Sequence, residues 1–324
     1  VMRRDRHGVL WVGTYGAGLL RMESGALRAI PSLPFLNQDA AAALLDYADE
    51  VDAGQAENVI YRSFVMAKEK RNIQMAFKAG GQLAKQYPKS KNLFDVYATL
   101  GNFSAQMADF GRAAALYEDF FQRFPQRSEA KEAMMAAAQF HTYLGEFRDA
   151  IKDYRALLEV EQGDRKGHIM VEIADCYAKM NDWRMVLTAA RRAVSEMPSS
   201  VKGQLLLAKA LEKRGKTEEA KQAYMAAASS GGPDDTHLSA EAQFRLGEMI
   251  FDEYRAIRFG AGQDDNAVLE GKMQMVGMME QIYAGVVQMK DPEWAIASLY
   301  RLSQVYQNFA DFLGNQTDVV QTRG

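Results

Sequence analysis

Small, aromatic and proline residues recur along the chain with a period of about 34 to 39 residues, from near Glu57 almost to the C-terminus. In a unit that starts at Phe94, they fall at positions 8, 20, 24 and 32, as Gly101, Ala113, Tyr117 and Pro125. The same spacing recurs in whole or in part from Glu57, Lys131, Gly167, Val201, Ala240 and Ile296. The pattern predicts a series of two-helix units.

The physical meaning of these positions supports that prediction. A small residue at positions 8 and 20 lets the two helices of a unit cross closely, because a bulky side chain would separate their backbones. A proline at position 32 ends a helix between units without removing a hydrogen bond inside it. The step from Ala240 to Ile296 is longer than the others, and we expect a loop at about residues 257–271 to carry the insertion.

The pattern as a whole resembles the tetratricopeptide repeat, in which Leu-Gly at positions 7 and 8 is followed by Ala at 20, an aromatic at 24 and Pro at 32. The resemblance covers roughly four fifths of the chain. It implies an all-α fold, a right-handed α-solenoid of helix-turn-helix repeats over residues 39–324, preceded by a short β segment at residues 1–38.

Residues 1–38 show a strand pattern in place of the helical pattern of the rest of the chain. We expect strands at Val9 to Thr14, Gly18 to Met22 and Ala26 to Ile30, separated by glycine turns. The run from Asp5 to Leu19 resembles one repeat of the β-propellers of bacterial two-component sensors. A propeller needs about four to eight blades, so one repeat does not make a propeller.

Two hypotheses explain that segment. Because the chain begins at Val1, residues 1–38 are expected to end the propeller of a longer polypeptide; in the alternative, Met2 is the true start and a small sheet caps the solenoid. Pro31 and Pro34 indicate a linker near residues 31–39 in either case.

Net charge and the length of apolar runs limit the classes of partner that the chain can bind. The net charge of −3 argues against a nucleic-acid-binding surface, which would be basic. No apolar run approaches the roughly 20 residues that span a bilayer. We therefore expect a protein or peptide partner, no nucleic acid and no membrane span, and the oligomeric state stays open.

Residues with catalytic or ligand chemistry are sparse. The single cysteine, Cys176, excludes an internal disulfide and is expected to be a buried thiol. The four histidines are dispersed without metal-ligand spacing, and His141 falls at repeat position 11, where a packed residue is expected. We expect no catalytic residue, no cofactor and no metal site.

The resemblance places the binding surface on the concave face, at positions 2, 5, 9, 12 and 13 of each first helix. The resulting candidates are Asn102, Gln106, Gln139, Tyr143, Asp175, Lys179, Lys202, Lys209, Lys213, Phe244, Glu248 and Phe251. Their polarity changes along the chain, from mixed, to basic, to acidic and aromatic. An extended peptide or a partner helix would recognise such a gradient, whereas the alternative is a solvated charged face with no ligand.

The sequence thus favours a non-enzymatic scaffold that binds a partner in its concave groove. The junctions Tyr-Pro-Lys-Ser at 87–90 and Phe-Pro-Gln-Arg at 124–127 resemble those of cell-envelope tetratricopeptide proteins, which favours a bacterial multiprotein or envelope assembly and the periplasm over the cytoplasm. The alternative is a fragment of a propeller-containing sensory protein in which the helical array relays or docks.

Overall fold

The structure, a computed structural model, describes residues 2–4, 10–14, 18–23, 26–29, 39–259 and 264–323. The chain divides into two compact units, unit 1 (Val1–Val160) and unit 2 (Glu161–Gly324). The predicted linker lies outside the described residues except for Asp39, which begins the first helix. A division between residues 38 and 39 stays a prediction.

Unit 1 begins with four short antiparallel strands in the order β1-β2-β3-β4, which are Met2–Arg4, Leu10–Thr14, Gly18–Glu23 and Ala26–Ala29. Trp11 pairs with Arg21 across β2 and β3, and Leu20 pairs with Ala29 across β3 and β4. Strands β2 to β4 correspond to the three predicted strands, and β1 is an addition to them. The predicted turn at Gly16 lies outside the described residues.

Seven helices complete unit 1. They are α1 (Asp39–Ala48), α2 (Ala53–Glu69), α3 (Ile73–Gln86), α4 (Leu93–Gln106), α5 (Phe110–Arg123), α6 (Ser128–Leu144) and α7 (Phe147–Leu158). Each of α2, α4 and α6 is the first helix of a repeat and packs against the second helix that follows it.

Unit 2 continues the same alternation. Its helices are α8 (Asp164–Lys179), α9 (Trp183–Glu196), α10 (Val201–Lys213), α11 (Thr217–Ser230), α12 (Thr236–Ala256), α13 (Asp265–Gln288) and α14 (Pro292–Arg323). A 3₁₀ turn, Pro233–Asp235, precedes α12. Helices α8, α10 and α12 are first helices, and α14 is the final helix that the pattern predicted. The expected all-α, tetratricopeptide-type solenoid with a short preceding β segment is confirmed.

The loop between α12 and α13 is shorter than the sequence predicted. Helix α13 begins at Asp265, so the prediction of a loop as far as residue 271 was wrong for residues 265–271. The reason is a local cap, because the Asp264 carboxylate accepts a hydrogen bond from the Asn266 backbone N–H at 3.0 Å. The glycine-rich part of this loop, residues 260–263, lies outside the described residues.

Turn chemistry repeats within the units. Asp109 and Asp182 precede second helices and accept hydrogen bonds from the backbone N–H groups of Arg112 and Met185, at 3.2 and 3.1 Å. The residues just before them, Ala108 and Asn181, both have a φ of 58°, in the left-handed region. In these two repeats, a short acidic turn therefore reverses the chain at the same point.

In two of the repeats, the two helices meet at a glycine and a tyrosine ring. A β-carbon added at Gly101 would lie 2.2 Å from Cε1 of Tyr117, and one added at Gly247 would lie 2.7 Å from Tyr283. The tyrosine hydroxyls donate hydrogen bonds to the next residue of the first helix, to Asn102 at 2.6 Å and Glu248 at 3.0 Å. Positions 8 and 24 are thus in direct contact in the unit that starts at Phe94, and Tyr283, which lies beyond the insertion, makes the equivalent contact with Gly247.

One lysine is buried in unit 2 among aromatic rings. The Lys272 ammonium donates to the Tyr254 carbonyl at 3.3 Å and lies 4.3 Å from the ring centres of both Tyr254 and Phe312. Burial, and then the nearby Arg258 charge, lowers the pKa of Lys272 to about 8. No described carboxylate offsets this charge.

Replacing Gly101 by alanine tests the helix crossing. We expect Gly101→Ala to destabilise the protein by about 1 to 3 kcal/mol, because the added methyl group overlaps the buried Tyr117 ring. Gly81→Ala is the matched control, since Gly81 lies inside α3 with nothing within 4 Å of the added carbon. We expect it to be neutral or to stabilise by up to about 1 kcal/mol. Urea unfolding of both variants measures the difference, and equal effects would contradict the close crossing.

Replacing Lys272 by methionine tests the buried charge. The pKa of Lys272 falls from an ordinary 10.5 to about 8 on folding, so the charged form opposes folding fully below pH 8 and not at all above about 10.5. We expect Lys272→Met to unfold at a higher urea concentration than the wild type at pH 7, with an advantage that shrinks between pH 8 and 10.5. A variant less stable at pH 7 would show that the ring contacts outweigh the cost of burial.

Candidate partner-binding groove

The first helices of unit 2 form a continuous row. Helix α10 lies against both α8 and α12, and α12 lies against α14. Among the described residues, successive second helices have far fewer contacts with one another. The first helices therefore line the more tightly curved side of unit 2, and we call the surface formed by α8, α10 and α12 the unit 2 face.

Ion pairs connect α8 to α10 on this face. The Lys202 ammonium lies 2.9 Å from Glu172 Oε1 and 3.1 Å from Asp175 Oδ2. Lys179 also reaches Asp175, at 3.2 Å. Burial favours the neutral form of Lys202, but the charges and hydrogen bonds of Glu172 and Asp175 outweigh it and raise the pKa of Lys202. Three of the predicted groove residues, Asp175, Lys179 and Lys202, thus form one charge network.

A second connection joins α10 to α12. Lys209 Nζ lies 2.7 Å from Glu241 Oε1, and Arg245 lies 3.6 Å from the same oxygen. Glu241 is buried, whereas Lys213 at the end of α10 is exposed. Lys202, Lys209 and Lys213 share one side of α10, because they are seven and four residues apart.

The predicted groove residues Glu248 and Phe244 on α12 already make contacts with other residues of unit 2. Glu248 accepts hydrogen bonds from the Tyr283 hydroxyl at 3.0 Å and from Arg301 Nε at 2.6 Å. Phe244 packs between Tyr283 and Trp294, with ring centres 5.8 and 5.1 Å away.

Phe251 is the most enclosed of the predicted groove residues on α12. It is only 4% exposed, and the Arg301 guanidinium lies 4.8 Å from the centre of its ring. Helix α14 packs against α12 and encloses Phe251, which therefore offers almost no area to a partner.

Unit 1 carries the other four predicted residues. Gln106 and Gln139 are exposed on α4 and α6, and Tyr143 is 76% exposed. Asn102 is exposed as well, although its side-chain oxygen accepts the hydrogen bond from Tyr117. This surface of α4 and α6, the unit 1 face, presents uncharged amides and an aromatic ring in place of the paired charges of the unit 2 face.

A charged cluster in unit 1 was missed by sequence reasoning. His141 was expected to be an ordinary packed residue, yet its Nδ1 lies 2.7 Å from Glu146 Oε2 and its Nε2 lies 3.0 Å from Glu118 Oε1. The Asp153 carboxylate is buried 3.6 Å from the same Nε2. The sequence offered a sign of this cluster in Glu146. This acidic residue stands at the turn position where Asp109 and Asp182 cap the equivalent helices in other repeats.

The cluster shifts the protonation of its members. Burial, and then the charge of Glu118, raises the pKa of Asp153 to about 7. Burial lowers the pKa of His141, but the hydrogen bonds to Glu146 and Glu118 outweigh burial, so the net effect raises it.

Helix α14 has an exposed apolar side that the sequence pattern did not single out. Its large exposed residues are Ile296, Leu299, Tyr300, Tyr306 and Leu313. Most of them follow helical spacing along one side of the helix.

These features define a class of protein. Two-helix repeats packed in series, with first helices lining one face, make a tetratricopeptide-type α-solenoid, and folds of this type serve as protein-protein interaction scaffolds. A family model for the tetratricopeptide repeat matches residues 201–230, which form α10 and α11. That family describes a repeat, and no curated protein matches the chain.

Three solved structures match most of the chain at low sequence identity. The C-terminal part of a tetratricopeptide-repeat protein from Cytophaga hutchinsonii is 13% identical with a TM-score of 0.49, and the match covers 81% of this chain and 98% of that one. YrrB, described as a tetratricopeptide protein with an unusual peptide-binding site, is 14% identical with a TM-score of 0.44, covering 68% and 98%. PilF from Pseudomonas aeruginosa is 12% identical with a TM-score of 0.41, covering 76% and 96%.

None of the described helices combines sufficient length with sufficient apolar character to cross a membrane.

Proposed function

We propose that the chain is a non-enzymatic scaffold that binds an acidic segment of a partner protein on the unit 2 face. The observation that supports it is the line of cations on α10, at Lys202, Lys209 and Lys213. At a rise of 1.5 Å per residue, these three lysines span about 16 Å along the helix. An extended segment of about five residues covers that distance.

The paired state of the lysines is compatible with binding. Ion pairs near a protein surface contribute little stability, typically up to about 1 kcal/mol. A partner carboxylate that replaces Glu172 at Lys202 therefore faces a small cost, because both members of that pair are about one third exposed. Lys213 is exposed and makes the first electrostatic contact, which favours fast association.

The unit 1 face serves a different kind of contact in this proposal. The amides of Gln106 and Gln139 each offer both a donor and an acceptor, which suits the backbone of an extended peptide. Tyr143 adds exposed aromatic area, of the type enriched at protein interfaces.

We propose further that the scaffold works in a bacterial multiprotein or envelope assembly, on the basis of the two proline junctions at 87–90 and 124–127. The alternative function is a sensory protein in which residues 1–38 continue a propeller and the helices relay or dock. The observation that favours this alternative is the order β1-β2-β3-β4, because four antiparallel strands make one propeller blade.

An exchange of charges tests the groove proposal. In the double variant Lys209→Glu with Glu241→Lys, the ion pair is retained but the positive charge leaves α10. For peptides selected from a displayed random library on the full chain, we expect the variant to bind about tenfold more weakly, or about 1.4 kcal/mol. We expect the loss to be larger at low salt. Thermal unfolding is measured in parallel, because Glu241→Lys places a second cation beside Arg245. Fluorescence anisotropy measures the affinities.

A matched exchange serves as the control. Lys221 on α11 pairs with Glu253 at 2.6 Å, so Lys221→Glu with Glu253→Lys makes the same swap at a pair that includes a second helix. We expect unchanged affinity in this control. If the Lys209 and Glu241 exchange also leaves affinity unchanged, the unit 2 face is not the binding surface.

A further inference from the structure

Three helices of unit 1 bring possible metal ligands together beside α6. Glu118 comes from α5, His141 from α6 and Asp153 from α7, and one oxygen or nitrogen of each lies within 4.8 Å of the others. The nearest approaches to His141 Nε2 are 3.0 Å for Glu118 Oε1 and 3.6 Å for Asp153 Oδ2.

Asp153 is the observation that an ordinary salt bridge does not explain. Its side chain is fully buried, and neither carboxylate oxygen has a hydrogen-bond partner in the described part of the chain. A buried carboxylate without hydrogen bonds is costly and calls for a specific explanation, and the His141 Nε2 that faces Asp153 at 3.6 Å is too distant for a hydrogen bond. A bound cation would supply the missing partner.

The hydrogen bonding of His141 also supports a cation site. Glu146 Oε2 lies 2.7 Å from Nδ1, so the neutral ring that carries its proton on Nδ1 donates to Glu146 and turns the Nε2 lone pair towards Glu118 and Asp153. Metal-binding histidines characteristically donate their other ring N–H to a carboxylate or carbonyl in this way. In that tautomer, a cation bound between Nε2 and the two carboxylates takes the place of the proton that Nε2 otherwise shares with Glu118.

The distances fit a small transition-metal ion. Bonds of about 2.0 to 2.1 Å in a tetrahedral arrangement place neighbouring ligand atoms roughly 3.3 to 3.4 Å apart. The observed separations of 3.0 and 3.6 Å from Nε2 lie on either side of this value. The imidazole ligand favours zinc and its neighbours in the first transition row over Mg²⁺ or Ca²⁺, which prefer oxygen ligands.

We propose that Glu118, His141 and Asp153 bind one divalent transition-metal ion of the zinc class, with Glu146 as the positioning residue for His141. The site joins the second helices α5 and α7 of two successive repeats through α6. Its position differs from the groove residues Gln139 and Tyr143 on the same helix, so it is a structural or regulatory metal site within unit 1.

Equilibrium dialysis of the full chain against ZnCl₂, followed by elemental analysis and titration calorimetry, tests this proposal. We expect one Zn²⁺ per chain, and we expect Asp153→Asn, Glu118→Gln and His141→Gln to lose it. Glu146→Gln is expected to weaken binding by about 10 to 100-fold, as changes to such supporting partners generally do. His237→Gln is the control, because exposed His237 also pairs with a carboxylate, Asp291 at 2.9 Å, but has no such cluster.

Thermal unfolding of each variant, with and without Zn²⁺, separates a loss of metal binding from a failure to fold. Without metal, we expect Asp153→Asn to be at least as stable as the wild type, because it removes a buried charge, while the stabilisation of the wild type by Zn²⁺ disappears. Wild-type protein that binds no Zn²⁺, or variants at Glu118, His141 and Asp153 that bind it as the wild type does, would overturn the proposal in favour of an ion pair alone.

Discussion

In two repeats, α4–α5 and α12–α13, the packing of the helix pair depends on the contact between a glycine on the first helix and a tyrosine ring on the second. Gly101 with Tyr117 in unit 1, and Gly247 with Tyr283 in unit 2, leave no room for even one added carbon. The backbones can approach only because the first helix lacks a bulky side chain at that point. The tyrosine hydroxyl then bonds the neighbouring residue of the first helix, so the same contact sets both the separation and the rotation of the pair.

This contact also determines what the first helices can present. Asn102 and Glu248 were expected to face a partner, but each already accepts a hydrogen bond from its tyrosine. Binding on the unit 2 face therefore depends on the lysines of α10, whose charges are paired between neighbouring first helices. Unit 1 also pairs charges between first helices, at Lys68 on α2 and Asp95 on α4, but the surface of α4 and α6 adds uncharged amides and an exposed tyrosine.

The sequence predicted the features that arise from local chemistry. The period, the small residues, the acidic turns and the prolines each act within one repeat, and the helices they predicted are present in both units. The packing of α14 over α12 was not predictable in the same way, because it joins residues about fifty apart across an irregular step. Phe251 was placed on an open surface for that reason. The grouping of Glu118, His141 and Asp153 was missed because it requires three helices from successive repeats.

Site-specific photo-cross-linking tests directly whether a partner binds along the row of first helices. A photoreactive amino acid would be introduced at Gln106 and Lys213 on first helices, and at Arg192 and Gln222 on second helices, all of which are exposed. The full chain would then be irradiated with a bound peptide selected from the displayed library. The account predicts adducts at one or both first-helix positions and none at the second-helix positions. Adducts confined to Arg192 or Gln222 would contradict a scaffold that binds its partner through the row of first helices.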